Sequence, residues 1–510
     1  MHTHLLLEMA ADAAPDRVIV GARDGGMTMG ALLDASRRAA VWLASRAGST
    51  VTYVGLNGPS FAVAIFGASM AGRPFTPLNY RLPDANLRKL LERSAPTTAI
   101  CDAELMERLS GVEGVELVSV ENFARIHADK AEPPVIDTPD QDVAIVLFTS
   151  GTTSEPKAAI LRHTNLTSYV LSTIEFLGAD EDDAALVSVP PYHIAGISAV
   201  LTSVYSGRRM VQLPGFTPEA WVELVAAEKI THAMVVPTML GRVLDVLEKT
   251  GQTLPGLRAL SYGGGRMPVA VVERAMRLLP HVDFVNAYGL TETSSTISIL
   301  DPQSHRDALS HADPAVRRRL SSVGRPLPTL ELEIRDEAGN PVETGCVGEV
   351  WVRGDQISGE YSSGKVIRDD GWFPTKDAGW LDHEGYLFVE GRLDDVIVRG
   401  GENISPSEVE DILRRHTGVL DVAVLGLPDD DWGERIVAAV VTDALVADDE
   451  LRALVRSNLR SSRVPEQFFY YPSLPYNDTG KLLRTALKSQ ILGDLEQPRN
   501  DKKIALNAAG

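Results

Sequence analysis

Residues 144–157 read AIVLFTSGTTSEPK, an apolar run from Ala144 to Phe148 that breaks at once into hydroxyls, one glycine and a lysine. The run reads as a strand and the polar stretch as the loop by which the chain leaves it. Outward from this point, between residue 17 and about residue 300, short β-branched runs alternate with amphipathic helical stretches. Val51–Val54 precedes the Ala-rich segment Phe61–Ala71 in the same way. Such alternation predicts an α/β fold with a largely parallel sheet covered by helices. Past about residue 320 the texture changes to LELEIRDEAGNPV, GEVWVRG and GYLFVEGR, short strands broken by Gly, Pro and Asp, which predicts a small β-rich subdomain. An α/β pattern resumes after GRLDD at 391–395, with a helix expected over Ser407–His416 behind Ser405 as cap and Pro406 in the first turn. The expected division is therefore residues 1–391 and 392–510, with a boundary at Arg392–Asp395. The polar, Ala-rich stretch 494–510 reads as a loosely held tail.

The chain has 510 residues, enough for more than one core, with 44% hydrophobic and 23% charged residues. A formal net charge of −20 argues against a general nucleic-acid binder, because such proteins gain affinity from Lys and Arg displacing counterions. Small anionic ligands are compatible with it, since a few amides and one or two cations suffice for a phosphate. Cys101 and Cys346 are too few for a disulfide framework or a Cys-rich zinc site, which fits a reducing, cytoplasmic setting. The N-terminus lacks the long apolar core of a signal peptide, and the most apolar stretch, Phe61–Gly72, is far shorter than the roughly 20 residues of a membrane span.

Three stretches carry chemistry. Thr149–Lys157 offers the hydroxyls of Thr149, Ser150, Thr152 and Thr153, close backbone approach at Gly151, and the Lys157 cation. These suit a polyphosphate, although the order of residues is not G-x-x-x-x-G-K-[ST], and a solvated Ser/Thr-rich turn has the same composition. Gly263, Gly264 and Gly265 follow the run LRALSY. They exclude a dinucleotide fingerprint, whose third glycine would fall on Pro268, and leave either a flat wall for a purine or acyl chain or a tight strand-to-helix turn. Asn286–Thr293, NAYGLTET, reads as a turn after a run ending in Phe-Val, with Tyr288 able to stack on a base and Thr291 and Glu292 offering oxygens to phosphate and Mg2+.

TSGTTSEPK, PPYHIAGI, YGGGRMP, NAYGLTET, WFPTKDAGW, GRLDDVIVRGGENISPSEVE and NDTGKLLR occur in the order and at roughly the intervals of the core motifs of the adenylate-forming superfamily. The chain resembles that family's acyl- and aryl-CoA ligases from about residue 20 to about residue 490. The resemblance implies a large N-terminal AMP-binding domain followed by a small, mobile α+β domain, with ATP, Mg2+ and coenzyme A as the ligands. By similarity, Thr149–Lys157 holds the β and γ phosphates, Gly263–Gly265 with Asn286, Ala287, Tyr288 and Gly289 lines the adenine, and Thr291 and Glu292 meet the α-phosphate and the metal. Asp377 takes the ribose hydroxyls and Arg392 lies beside them. Lys481 is the cation between substrate carboxylate and α-phosphate, where two anions must meet. Asp394 matches the hinge, and Gly400, Gly401, Glu402 and Asn403 match the strip followed by the pantetheine arm.

His193 takes the place of an aromatic or histidine gate beside the carboxylate, or else simply caps a helix. With Ala195, Gly196, Val235 and Val236 it outlines a small-walled apolar acyl pocket. The motif PYHIAG holds no Asp for an α-amine, which disfavours an amino acid and leaves an aliphatic, cyclic or aromatic acid. Three departures stand out: Lys157-Ala158 where the family has Lys-Gly, Lys376 in place of a glycine, and a short Ser358–Asp370 segment. The resemblance also admits an acyl-AMP ligase loading a carrier protein, and a homodimer. A catalytically silent binding protein would have no need of Lys481, Glu292, Asp377 and Arg392 together.

Overall fold

The computed structural model describes residues 1–128, 137–149, 156–400, 402–429, 431–443, 446–477 and 482–496, with main chain alone at Asn403 and Glu496. The chain divides into two compact units, Met1–Thr375 with Trp380–Phe388, and Lys376–Gly379 with Val389 onward. Asp377 and Arg392 thus both belong to the second unit.

In the first unit the β-branched runs form two sheets. Eight strands run in the order Gly364–Lys365, Glu360–Tyr361, Lys157–Arg162, Val143–Thr149, Phe75–Pro77, Thr50–Val54, Thr97–Cys101, Val115–Ser119. Nine more run in the order Arg325–Pro326, Ser295–Leu300, Asp283–Leu290, Ala259–Gly263, His232–Val235, Ala184–Val187, Arg209–Gln212, Val18–Val20, Met27–Thr28. Both sheets are parallel at the centre, the eight-stranded one antiparallel at one end and the nine-stranded one at both, so the expected α/β fold class holds, with two mixed sheets as its layers. The largest core draws residues from both, including Tyr53, Ile145 and Leu147 from one and Val187 and Met210 from the other. The helix Pro59–Met70 lies within this core and is buried on every side, so the Phe61–Ala71 segment is not amphipathic. Uniform burial follows from its composition, which has no charge to turn outward. Among the described residues no helix is long and apolar enough to cross a membrane. The β-rich stretch forms a four-stranded sheet in the order Glu331–Arg335, Gly348–Arg353, Phe373–Leu381, Leu387–Arg392.

The helix His4–Ala13 is tied down by polar contacts among buried histidines. Thr3 donates its N–H to His163 Nδ1 at 3.1 Å, His4 Nδ1 pairs with Ser69 Oγ at 3.0 Å, and the His2 and His163 rings stack at 4.4 Å. Burial, with His2 alongside, pulls the His4 imidazole down to about 4, and burial with His2 and His4 alongside pulls His163 down to about 3. Both folded values lie below the unfolded value of about 6.5, so the neutral rings favour the fold. Their contribution is complete above pH 6.5 and is lost as pH falls towards 4 and below. Thermal melts should lose midpoint over that interval, and a His4→Gln, His163→Gln double variant should lose it less steeply.

In the second unit the strands Val419–Asp429 and Gly433–Thr442 are apolar on both faces. Val422, Val424, Ile436, Ala438 and Val440 enter one core, while Ala423, Leu425, Val437, Ala439 and Val441 enter another. Period-two alternation sends successive side chains to opposite faces, so a continuous apolar run marks a sheet covered on both sides. The sheet order is Glu402–Ile404, Ile397–Arg399, Gly433–Thr442, Val419–Asp429, with Gln467–Tyr470 parallel to Gly433–Thr442. The expected helix is present as Pro406–Leu413, but Ser405 does not cap it through its side chain: the hydroxyl donates to Glu390 O at 3.1 Å. The tail 497–510 lies outside the described residues.

Candidate active site

Four neighbouring parallel strands of the nine-stranded sheet end at the same edge, and each delivers candidate residues there. Ala184–Val187 leads through Ser188, held by a hydrogen bond to Met234 O at 3.0 Å, to His193. His232–Val235 ends on Val235, which is 1% exposed, followed by Val236 at the start of the helix Pro237–Thr250. Ala259–Gly263 ends in the triple glycine, and Asp283–Leu290 carries Asn286 to Gly289. The register places Gly263 beside Ala287 and Tyr262 beside Asn286. In open α/β sheets the carboxyl ends of parallel strands are where ligands bind, because the loops there converge without hindering the core.

Gly263 is required by this packing, since a Cβ there would lie 2.2 Å from Ala287 O. Gly264 adopts φ +78°, and a Cβ there would meet only Val236 Cγ1, at 3.5 Å. With Gly265 exposed next to it, the result is a bare stretch of backbone against which a flat ring can lie. The stretch is also the turn into the helix Val269–Leu278, the second of the two readings of the glycines. His193 is the N-cap of the helix Ile194–Ser206, its Nδ1 accepting from Ala195 N at 3.4 Å. An accepting Nδ1 places the proton of the neutral ring on Nε2. Ala195 and Gly196 are buried in the first turn.

The NAYGLTET stretch is not a turn throughout. The strand continues to Leu290, because Asn286 to Leu290 pair with Ser295–Leu300 in an antiparallel hairpin, and only Thr291–Thr293 makes a single 3-10 turn. Asn286 donates to Ser322 O at 3.0 Å. Buried Gln356 fixes the turn from behind, donating to Thr293 O at 3.0 Å and Thr296 O at 2.8 Å.

Thr149 and Lys157 face each other across the hairpin that closes the phosphate-loop candidate. Ser150, Gly151, Thr152 and Thr153 lie outside the described residues. The Lys157 ammonium sits 5.8 Å above the ring of Tyr361, and the Tyr361 hydroxyl donates to Glu292 Oε1. Arg93 donates to Pro156 O at 2.8 Å and stacks over Phe148 at 4.8 Å, so it ties together the two flanks of the phosphate-loop candidate. Among the described residues no group of three His, Cys, Asp or Glu could hold a metal alone. One carboxylate beside a hydroxyl-bearing turn suits Mg2+, which keeps several waters and shares its ligands with phosphates.

The sequence profile of the AMP-binding enzyme family matches residues 7–362, and that of the AMP-binding enzyme C-terminal domain matches residues 408–481. The chain belongs to the AMP-binding enzyme family. It is 31% identical over 492 residues to a 2-succinylbenzoate–CoA ligase of Bacillus licheniformis, covering 94% of this chain and 98% of that one. It is 30% identical over 464 residues to the fatty acid–[acyl-carrier-protein] ligase ScoC of Streptomyces coeruleorubidus, covering 88% of each. Among solved structures it is similar to the o-succinylbenzoate CoA synthetase MenE of Bacillus subtilis, in complex with the acyl-adenylate intermediate OSB-AMP. The TM-score is 0.82 at 28% identity, covering 95% of this chain and 97% of that one.

In the second unit of this AMP-binding enzyme, Asp377 is 5% exposed and forms an ion pair with Arg392 at 3.1 Å. Lys376, where the family has a glycine, holds φ +61°. A side chain costs about 1 kcal/mol in the left-handed region, so Lys376→Gly should raise the stability of the second unit by that order, as read by denaturant unfolding. Asp394 lies in the 3-10 turn Leu393–Asp395. Gly400 has φ +56°, and the space a Cβ would occupy is filled by the Trp432 ring at 2.9 Å. Its lack of a side chain thus serves the indole contact and the turn. Glu402 accepts from Ser462 Oγ at 3.2 Å, and Asn403 sits opposite Val398 in the strand pair. Gly401 and Lys481 lie outside the described residues.

Sequence reasoning missed Tyr361, Gln356 and Arg93. Their partners are remote in the chain, and the only local signal was that the short segment containing Tyr361 departs from the family pattern.

Proposed function

We propose that this enzyme is an AMP-forming acid–thiol ligase whose substrate is an apolar carboxylic acid, aliphatic of short to medium length or cyclic or aromatic. The observation that carries the reading is the convergence of His193, Val235–Val236, Gly263–Gly265 and Asn286–Glu292 on one sheet edge. In the first half-reaction the substrate carboxylate attacks the α-phosphorus of ATP, an acyl–phosphate bond forms, and pyrophosphate leaves. Thr149 to Thr153 and Lys157 hold the β and γ phosphates, the triple glycine with Asn286, Ala287, Tyr288 and Gly289 seats the adenine, and Asp377, oriented by Arg392, binds the ribose hydroxyls. Thr291 and Glu292 supply oxygens to Mg2+, which when bound neutralises phosphate charge. Lys481 offsets the repulsion between carboxylate and phosphate as they meet.

In the second half-reaction the thiolate of coenzyme A attacks the acyl carbon and AMP leaves. Gly400, Gly401, Glu402 and Asn403 line the pantetheine path, and Asp394 is the hinge about which the small domain, residues 392–510, turns between the two steps. His193 closes the pocket formed with Ala195, Gly196, Val235 and Val236. His193 also caps the helix Ile194–Ser206, which is the other reading of this residue. The setting is cytoplasmic, in keeping with a sequence that has only two cysteines. A second acceptor, the phosphopantetheine of a carrier protein, is favoured by the likeness to ScoC.

The test incubates enzyme, ATP and Mg2+ with a panel of aliphatic, cyclic and aromatic acids, alone, with CoA, or with a carrier protein whose phosphopantetheine thiol is free. AMP, pyrophosphate and an acyl-CoA appearing together support the reading. Acyl-AMP that is discharged only by the carrier protein moves the acceptor, and no acid-dependent pyrophosphate with any acid overturns the ligase.

A further inference from the structure

The segment Gln356–Ser362 is bonded along its length to the two stretches that carry the proposed phosphate and metal groups. On one side Ser362 N donates to Ala158 O at 2.9 Å, the Ser358 hydroxyl donates to Ile160 O, and Glu360 pairs with Arg162 through two bonds of 3.0 and 3.1 Å. On the other side Ser358 N and Gly359 N donate to Glu292 O at 2.9 and 3.2 Å, while Gln356 grips Thr293 O and Thr296 O. Tyr361 stands between, its hydroxyl on the Glu292 carboxylate and its ring 5.8 Å beneath the Lys157 ammonium.

We infer that Tyr361 is a positioning residue for Mg·ATP, setting the orientation of the Glu292 carboxylate through its hydroxyl and the place of the Lys157 ammonium through its ring. This rests on the roles proposed above for Glu292 and Lys157. A glutamate has three side-chain torsions, and a hydrogen bond to one oxygen orders them while the second oxygen faces away from the phenol. An ammonium over an aromatic face is likewise held without being neutralised. Because the strap is fixed to both strands, a single side chain sets the spacing between a cation for the polyphosphate and an anion for the metal. Hydrogen-bond partners of metal-binding carboxylates have this effect generally, and their loss typically costs about 10- to 100-fold in metal affinity or activity.

The test is calorimetric titration of ATP into the full-length protein without acid, at a series of Mg2+ concentrations. Tyr361→Phe keeps the ring and loses the hydroxyl. It should need about tenfold more Mg2+ to reach the wild-type ATP affinity, with Mg2+-free ATP binding unchanged. Tyr361→Leu should weaken Mg2+-free ATP binding as well. In a Glu292→Gln background Tyr361→Phe should add nothing, because the hydroxyl acts through that carboxylate. A Tyr361→Phe curve superimposable on wild type, while Glu292→Gln still shifts it, overturns the inference alone. Tyr361→Phe that weakens Mg2+-free and Mg2+-bound ATP equally, or that adds its full effect on top of Glu292→Gln, shows general loosening and also overturns it. Wild-type ATP binding that ignores both Mg2+ and Glu292→Gln removes the metal assignment, and the inference with it. The ligase reading is judged separately, by acid-dependent pyrophosphate.

Discussion

Replacing Lys481 by alanine is expected to slow acyl-AMP formation by about a hundred- to a thousand-fold and to leave transfer from preformed acyl-AMP to CoA nearly unchanged. The asymmetry follows from the charges. Two anions approach each other only in the first half-reaction, while in the second a thiolate meets a carbonyl whose leaving group is already activated. The lysine lies outside the described residues, but its flanks do not. Tyr476 and Leu482 form an antiparallel bridge, Leu483 N donates to Pro475 O at 2.8 Å, and the Tyr476 hydroxyl donates to Asp421 Oδ2 at 2.7 Å. The loop is thus closed at its base by main-chain bonds that an alanine does not disturb. Rapid-quench measurement of each half-reaction decides the matter: equal losses in both would point to a folding defect, and no loss in the first would remove Lys481 from its role.

Glu410→Gln should be the most destabilising single change in the second unit. Glu410 is 4% exposed and accepts from Arg484 Nη2 at 2.7 Å and from Val424 N at 2.9 Å, while Arg484 also donates to Val424 O at 2.6 Å. Burial alone would push the Glu410 carboxyl up. Arg484, Arg414 and the Val424 N–H outweigh it and hold the carboxyl below its ordinary value. Removing one partner of a buried pair leaves the other charge uncompensated, at about 3–5 kcal/mol. Hydrogen exchange within Val419–Asp429 should then speed up by about a hundredfold or more. The sign with pH follows from the lowered value. The pair stabilises above the unfolded carboxyl range and loses its effect as pH falls through the folded one, so the deficit of the variant should shrink in acid. Since Arg484 opens the helix Arg484–Glu496 just past Lys481, adenylation should weaken along with stability. Unchanged exchange in Glu410→Gln would show that Arg414 and the surrounding sheet suffice.

What could be read from the sequence was what local composition decides. The runs at Val51–Val54, Ala144–Phe148 and Leu387 onward are strands because β-branched and aromatic residues alternate with clear turn residues. The seven motifs were legible for a different reason, being a pattern in register rather than a set of preferences. Contacts that depend on chain segments meeting from far apart were not legible. NAYGL extends its strand because Ser295–Leu300 folds back on it, and the helix Pro59–Met70 is covered on all sides because elements from both sheets close over it. Tyr361 looks like any tyrosine in a short polar hairpin until Glu292 and Lys157 are brought to it. Lys376 could be flagged as a departure from glycine, but only the backbone shows that the left-handed conformation persists without the residue that would adopt it freely.

The sheet edge that gathers the site has a practical side. The residues proposed for the acyl pocket leave from two different strand exits, so the 188–196 and 235–241 stretches can be exchanged one at a time for those of relatives. The parallel ladders behind them are left intact. On the assignments proposed above, acid preference and nucleotide handling are separable design variables in this scaffold, because a library confined to those two exits leaves untouched the triple glycine and Asn286–Gly289 proposed for the adenine.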